Sequence, residues 1–201
     1  MIVLSPPIAH PVTPVKVVLF SGLSDPSSCA LSASQQRFLD QLSLPQNCKI
    51  YANFPYLDPG PGQQQSIPIA AASWRNLSQF LGAWRSPYRE HAQAHWDALA
   101  VSCDQLLVIT ISCGLQILNA CLATGTRPRN IDILSLGPVA WDRPPVSHTL
   151  VRGSRDYVVN PWFRAVDVVL PGVGHLDYLG HPLVRDLAEE RLAKLQSPVS
   201  Q

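Results

Sequence analysis

The uncharged run at residues 105–116, which reads QLLVITISCGLQ, constrains this chain more than any other feature. Its first half, residues 106–111, is apolar and rich in β-branched side chains, which predicts a strand buried on both faces. Ser112 follows directly, and soon after it the pattern becomes helical. Because a buried strand that turns at once into a helix lifts one side chain clear of the sheet, we interpret Ser112 as a candidate nucleophile.

The same run also permits a membrane-spanning interpretation, since no charged residue occurs at 105–126. In lipid, however, the side-chain amides of Gln116 and Asn119 would be costly, and Gly114 would lie in the middle of the helix. The β-branched residues are also confined to the first half of the run. The sequence therefore favours a strand, a turn and a helix over a membrane span.

The composition is that of one globular domain with a substantial core. The 201 residues are 46% hydrophobic and 14% charged, with a formal net charge of +1. This small charge argues against an electrostatic partner such as a nucleic acid or an anionic membrane. The 19 prolines favour firm loops over disorder at this hydrophobic content.

The cysteines and the N-terminus suggest a cytoplasmic protein. The five cysteines show no CxxC spacing, so reduced thiols that act as small hydrophobic residues are expected. The first residues lack a basic segment and adjacent prolines interrupt their apolar run, so we expect no signal peptide. Pro11 and Pro14 predict an extended arm at 1–14, ahead of a single domain at 15–201.

Short apolar runs of strand length alternate with helical patterns along the chain. This alternation predicts an α/β fold, a three-layer α/β/α sandwich with a mainly parallel sheet of about six strands. Trp96, Leu99 and Val101 are expected to lie in the core. The predicted strands lie at 15–20, 48–54, 106–111, 131–136, 149–153 and 166–170, the predicted helices at 30–44, 72–84, 87–102, after Gly114 and at 182–195, and a predicted loop at 55–70.

Thr110-x-Ser112-x-Gly114 resembles the small-x-Ser-x-small nucleophile elbow of the α/β-hydrolase superfamily. The first small position is usually Gly in that family, and Thr110 departs from it with a β-branched side chain. The resemblance covers residues 15–195 and implies the hydrolase fold without its first two strands, in the spatial order 2-1-3-4-5-6. Many members of that family insert a lid after the fourth of these strands, but residues 137–148 leave little chain for one. The resemblance therefore implies a small, nearly capless esterase-like or thioesterase-like member.

The resemblance also implies a triad in the chain order Ser, then Asp or Glu, then His, each at the carboxyl end of a strand. Asp156 follows the strand at 149–153, in a segment that resembles the family's acid loop. His175 follows the strand at 166–170, in a segment that resembles its Gly-His loop. A serine hydroxyl needs an imidazole to take its proton and a carboxylate to orient that imidazole, so Ser112, Asp156 and His175 form the expected catalytic triad.

Other residues remain open for these roles. Asp142 lies beyond the preceding strand, where some members of the superfamily carry their acid, and it rivals Asp156. His181 rivals His175, although it precedes a proline at an expected helix start. Cys113 is an alternative thiol nucleophile, but next to the elbow serine its side chain should point away from the cleft.

The remaining site residues also follow from the resemblance. The backbone N–H groups of Leu23 and Cys113 are the implied oxyanion donors. Gly22, Tyr157 and Trp162 lie in loops that should face the site, and they are candidates for substrate binding.

A metal site is not expected. His91 and His95 are spaced to share a helix face, but a zinc-protease motif needs Glu directly after the first His, and Ala92 is there instead. Two histidines that are solvated or pack on a helix are the better interpretation.

These features predict a serine hydrolase that cleaves a carboxylic ester or thioester through an acyl-serine intermediate, with no metal or organic cofactor. The loops facing the site carry Pro, Leu, Tyr and Trp rather than clustered charge, which favours a small substrate with an apolar acyl group. A non-catalytic hydrolase-like binding protein and an acyltransferase with the same triad are the alternatives. The sequence carries no signal for an oligomeric state.

Overall fold

The computed structural model describes residues 6–21, 29–56, 86–159 and 161–197. Most of the predicted loop at 55–70 and the whole predicted helix at 72–84 lie outside these ranges. The strands are β1 (Thr13–Ser21), β2 (Lys49–Phe54), β3 (Cys103–Ile111), β4 (Asn130–Leu136), β5 (Ser147–Gly153) and β6 (Val168–Leu170). They form one parallel six-stranded sheet in the order β2-β1-β3-β4-β5-β6, which confirms the predicted order.

Strand β3 lies inside the sheet and is buried on both faces. Residues 106–109 are fully buried, which is why this part of the sequence is apolar without alternation. Phe20 of β1, Thr110 of β3 and Ser135 of β4 are neighbours in register. The carboxyl ends of these strands therefore meet at one edge of the sheet, and β3 leads there directly to Ser112.

Helices on both faces complete the three-layer α/β/α sandwich. They are α1 (Ala33–Asp40), α2 (Ser86–Ala100), α3 (Gly114–Thr124) and α4 (Pro182–Gln196). On one face, Trp96 of α2 and Leu118 of α3 belong to one buried apolar cluster. On the other face, Phe38 of α1 and Val184 of α4 belong to a second cluster. The predicted fold class is confirmed.

Helix α1 is shorter than the predicted helix at 30–44. Ser32 accepts the N–H of Gln35, whose side chain accepts the N–H of Ser32, and this capping box starts the helix. Leu42 and Leu44 follow the helix but are still buried. The apolar spacing that predicted a longer helix therefore includes a turn that packs against the core.

Two further details differ from the predictions. Val101 is 69% exposed because it follows the end of α2, whereas Trp96 and Leu99 are buried as expected. Strand β1 begins at Thr13, inside the predicted arm at 1–14. The division of the chain into an arm and a single domain stays a prediction.

The uncharged run at 105–126 is divided between β3 and α3, with a turn at Ser112 and Cys113 between them. The membrane-spanning interpretation of this run is therefore wrong. In the described ranges, no helix combines the length and the apolar character that crossing a bilayer requires.

Candidate active site

Ser112 occupies the sharp turn between β3 and α3. Its φ of 55° lies in the left-handed region, which a non-glycine residue adopts at an energetic cost. Its N–H donates to the Leu136 carbonyl at 3.1 Å, and its own carbonyl accepts the Val139 N–H at 3.2 Å. These bonds to the end of β4 and the loop after it hold the turn at the carboxyl edge of the sheet.

The turn requires a glycine at position 114 but accommodates Thr110. A Cβ on Gly114 would lie 2.0 Å from the Phe20 carbonyl oxygen, because α3 begins directly against β1. Thr110 is fully buried, and its Oγ1 donates to Ser135 Oγ at 2.7 Å between β3 and β4. The hydroxyl of Thr110, at the position where the resemblance predicts a small residue, therefore has a hydrogen-bond partner within the sheet.

His175 connects Ser112 to a buried carboxylate. Its Nε2 lies 3.0 Å from Ser112 Oγ, and its Nδ1 lies 2.8 Å from Asp156 Oδ2. The His175 side chain is 20% exposed, whereas the side chain of Asp156 is fully buried. Three side chains from three separate loops thus form one hydrogen-bonded row, with contacts short enough for proton transfer from the hydroxyl to the imidazole.

Three hydrogen-bond donors hold Asp156 as a carboxylate. Its Oδ1 accepts the Val158 N–H at 3.0 Å, and its Oδ2 accepts the Tyr178 hydroxyl at 2.5 Å in addition to His175. Burial by itself raises the pKa of Asp156, but the hydrogen bonds from His175, Tyr178 and Val158 outweigh it and lower the pKa below its ordinary value. A carboxyl group in this state is ionised at neutral pH and can orient the imidazole.

The rival acid and the rival base lie elsewhere. Asp142 is exposed, and Asn119 donates to its backbone carbonyl at 2.7 Å. The carboxylate beside His175 is that of Asp156. His181 directly precedes α4, and it is His175 that meets the serine hydroxyl.

The side chain of Cys113 points into the protein. The residue is 2% exposed and packs with Val139 and Trp162. Burial raises the pKa of the Cys113 thiol to about 12, so the thiol is neutral at pH 7 and a poor nucleophile. The Cys113 backbone, in contrast, lies at the start of α3, where the first N–H groups have no carbonyl partner within the helix.

The other predicted oxyanion donor, Leu23, and the substrate-binding candidate Gly22 lie outside the described residues. The end of the strand that leads to them is firmly held. The Ser21 N–H donates to Asn53 Oδ1 at 2.9 Å, and the Ser21 carbonyl accepts from Asn53 Nδ2 at 3.3 Å. The Asn53 side chain thereby ties the last residue of β1 to β2.

Two tryptophans lie beside the turn. Trp162 is partly buried against Cys113 and Val139, and its ring meets Trp141 edge to face with the centroids 4.9 Å apart. Trp141 is 58% exposed, and the substrate-binding candidate Tyr157 is 76% exposed. Trp141 is not among the predicted site residues, because a lone Trp in a Pro-rich loop carries no periodic signal.

Gly137 and Tyr178 are also absent from the predicted site residues. Gly137 has a φ of 57°, and a Cβ there would lie 2.9 Å from Asp156 Oδ2 and 3.2 Å from His175 Nδ1. The Tyr178 hydroxyl accepts the Gly153 N–H at 2.8 Å. A glycine directly after a strand at the site edge was a usable signal for Gly137, whereas a loop tyrosine carries none.

No group of three or more potential metal-ligating side chains occurs in the part of the chain that the structure describes. His91 and His95 are buried on α2, with their ring centroids 4.5 Å apart. His95 Nδ1 accepts the Ile8 N–H at 3.4 Å, and its ring meets Tyr56 edge to face. These two histidines pack other parts of the chain against α2.

Comparisons with protein-family models and with curated proteins give no match. Among solved structures, the chain is similar to TT1662 from Thermus thermophilus at 16% identity and a TM-score of 0.47, over 94% of this chain and 92% of that chain. It is also similar to esterase PE8 at 16% identity and a TM-score of 0.47, over 95% of this chain and 96% of that chain. The parallel strand order and the strained turn from β3 into α3 are those of an α/β-hydrolase fold.

Proposed function

We propose that this chain is a serine hydrolase that cleaves a carboxylic ester or thioester through an acyl-serine intermediate. One observation carries the proposal: Ser112 Oγ lies 3.0 Å from His175 Nε2, and His175 Nδ1 lies 2.8 Å from Asp156 Oδ2. A nucleophile, a base and an orienting carboxylate in that order are what acyl transfer to a serine requires.

In the first step, His175 Nε2 takes the Ser112 proton while Oγ attacks the substrate carbonyl carbon. The carbonyl electrons move to oxygen and form a tetrahedral oxyanion, and Asp156 stabilises the imidazolium without taking its proton. As the intermediate collapses, the imidazolium protonates the leaving alcohol or thiol. The acyl group then remains on Ser112 as an ester.

The proposed oxyanion donors are the backbone N–H groups of Cys113 and Leu23. Two observations support this role. Cys113 lies at the N-terminus of α3, where the helix dipole favours negative charge. The strand that leads to Leu23 is held at its last residue by Asn53, which suits a loop that must present a backbone donor.

Water completes the proposed cycle. His175 takes a proton from a water molecule as its oxygen attacks the acyl carbon, and the second tetrahedral intermediate expels Ser112, which regains its proton from the imidazolium. These steps use only water and groups of the chain, so we propose no metal or organic cofactor.

The proposed substrate is a small ester or thioester with an apolar acyl group. The Trp141–Trp162 pair adjoins Cys113 beside the nucleophile. Tyr157 and Leu176, which directly follow Asp156 and His175 in the chain, are 76% and 74% exposed. Exposed apolar side chains around a nucleophile can cover an apolar acyl chain.

We also propose a reducing compartment such as the cytoplasm. None of the five cysteines forms a disulfide and all are buried, so they act as small core residues. Reduced thiols of this kind suit a reducing environment.

A fluorophosphonate probe, which reacts with activated serines, tests the reaction class. We expect the wild type and Ser102→Ala to be labelled and Ser112→Ala to remain unlabelled. Ser102 is a matched control because it is a buried serine just before the amino end of β3, away from the site edge. A folded wild type that is not labelled would contradict the proposal and favour a non-catalytic binding protein.

Product analysis with an added alcohol or amine separates hydrolysis from acyl transfer. We expect free acid as the main product when water competes with a moderate concentration of the acceptor. A main product in which the acceptor carries the acyl group would instead identify an acyltransferase with the same triad.

A further inference from the structure

The hydroxyl of Tyr178 connects the segment after His175 to the end of β5 and to the loop that carries Asp156. The residue begins a short 3₁₀ turn, Tyr178–Gly180, shortly after His175, and it is 2% exposed. Its O–H donates to Asp156 Oδ2 at 2.5 Å and accepts the Gly153 N–H at 2.8 Å. The phenol oxygen therefore makes two hydrogen bonds, one as donor and one as acceptor, with groups at or just after the end of β5.

The same carboxylate oxygen also meets the imidazole. Asp156 Oδ2 lies 2.8 Å from His175 Nδ1, so His175 and Tyr178 share one oxygen atom. The hydrogen bond from the phenol stabilises the negative charge on that oxygen. Because the phenol already stabilises this negative charge, the carboxylate attracts the proton on the imidazolium less strongly.

The phenol ring and the Asp156 carboxylate both lie close to Gly137. A Cβ on Gly137 would lie 2.9 Å from Tyr178 Cε2 and 2.9 Å from Asp156 Oδ2, so glycine at this position leaves the room that both groups need. The ring belongs to the buried cluster on the α1 and α4 face of the sheet. A ring fixed by packing places its hydroxyl accurately, and the hydroxyl in turn sets the position of the carboxylate.

We propose that Tyr178 is a positioning residue for the hydrolase reaction. Its hydroxyl fixes Asp156 Oδ2, aims His175 at Ser112, and limits how firmly the carboxylate holds the protonated imidazole. This inference rests on the proposed serine hydrolase function. Tyr178 itself touches no reacting atom and acts only through Asp156.

The charged groups around the network are consistent with a neutral phenol donor. His175 and Tyr178 face Asp156, and Arg152 lies within electrostatic range of Tyr178. The neighbouring Asp177 accepts a backbone N–H of its own loop. Burial and the hydrogen bond to Asp156 raise the pKa of Tyr178, so its hydroxyl keeps its proton throughout the working pH range.

Tyr178→Phe removes the hydroxyl and keeps the ring. We expect the rate of fluorophosphonate labelling to fall on the order of tenfold, because the base is less well aimed. We also expect the acidic limb of the pH–rate profile to move to higher pH, because the freed carboxylate holds the imidazolium proton more firmly. Tyr56→Phe is the matched control, since Tyr56 is a fully buried tyrosine in the cluster on the opposite face of the sheet. This control should change neither readout.

A double-mutant cycle separates positioning from general destabilisation. If Tyr178 acts through Asp156, Tyr178→Phe should have little further effect on the labelling rate in an Asp156→Asn background. Fully additive effects of the two substitutions would overturn the proposal. An unmoved acidic limb in folded Tyr178→Phe would overturn it as well.

The downfield NMR resonance of the His175 Nδ1 proton provides a readout that needs no catalysis. We expect it to shift in Tyr178→Phe and, in the opposite sense, with 3,5-difluorotyrosine at position 178, which keeps the ring and is a stronger donor. If the resonance shifts in these variants but the fluorophosphonate does not label the wild type, the coupling between Tyr178 and His175 is supported and only the hydrolase function is contradicted. A resonance unmoved by the fluorinated residue would overturn the proposal even if Tyr178→Phe failed to fold.

Discussion

Thr110 and Ser135 are hydrogen-bonded through their hydroxyl groups, with 2.7 Å between Thr110 Oγ1 and Ser135 Oγ on adjacent strands. Both residues are fully buried. The bond lies just before the turn that carries Ser112. Each of the two buried hydroxyl groups therefore has a hydrogen-bond partner inside the sheet.

Thr110→Val should lower the free energy of unfolding by about 1–3 kcal/mol, because Ser135 keeps a buried hydroxyl that has lost this partner. The double variant Thr110→Val/Ser135→Ala should cost less than the sum of the two single variants, as measured by urea unfolding. Labelling of Ser112 should persist in both. A folded Thr110→Val protein that is not labelled would contradict a purely structural role for Thr110.

Gly114→Ala should destabilise the fold by about 3 kcal/mol or more, because its Cβ would lie 2.0 Å from the Phe20 carbonyl oxygen and rigid backbone cannot move aside. Gly180→Ala is the matched control, since a Cβ there meets nothing within 4 Å. Thermal unfolding of the two variants checks this difference. Equal stabilities would show that α3 does not begin as close to β1 as described.

Gly137→Ala should slow the labelling of Ser112 by about 100-fold, because a Cβ 2.9 Å from Asp156 Oδ2 displaces the carboxylate. Gly172→Ala is the matched control. The φ of Gly172 is 76° and that of Gly137 is 57°, so both substitutions strain the backbone, but a Cβ at position 172 meets nothing within 4 Å. The ratio of the two labelling rates therefore isolates the contact with the triad. Similar rates in both variants would contradict the predicted displacement.

Acid should destabilise the protein partly through Asp156. Its pKa in the folded state lies below the ordinary value of 3.8, so between these two values the unfolded chain binds more protons. The stabilisation is present above pH 3.8 and is lost as the pH falls through the folded-state pKa. Asp156→Asn should therefore reduce the slope of the unfolding free energy against pH below about 4, by at most about 1.4 kcal/mol per pH unit.

Chemical denaturation at several pH values measures this slope. Asp167, whose pKa is also lowered because its hydrogen bonds with the Leu150 N–H and Arg143 outweigh the effect of its burial, should maintain part of the slope in the variant. An unchanged slope in Asp156→Asn would show that the Asp156 carboxylate is not preferentially stabilised by folding.

The sequence was sufficient to predict the strands and a parallel sheet, because buried parallel strands appear as short apolar runs that alternate with helical patterns. The spatial order of the strands was predicted from the resemblance to the α/β-hydrolase superfamily. The same resemblance pointed to Ser112, Asp156 and His175, each in the segment that follows a predicted strand. Asp142 and Asp156 could not be separated in this way, because both follow strands in turn-forming segments. Only the positions of the loops in space bring Asp156 to His175.

Tyr178 could not be found by the same reasoning, and the only signal for Gly137 was its place directly after a strand at the site edge. Tyr178 acts through a hydroxyl that reaches back to the end of β5, a contact that no local pattern encodes. Gly137 is needed because a Cβ there would lie within 3.2 Å of atoms of Asp156, Tyr178 and His175, and that crowding exists only in the folded chain. The strands and their order were thus predictable, whereas the contacts that support the carboxylate were not.

The central claim is that Ser112 carries the acyl group, and mass spectrometry of a rapidly quenched reaction with p-nitrophenyl butyrate tests it directly. We predict a transient butyryl group on the peptide that contains Ser112, absent in Ser112→Ala and formed much more slowly in His175→Ala. A butyryl group on Cys113 instead, or no adduct in a folded wild-type protein that releases p-nitrophenol, would contradict the acyl-serine mechanism.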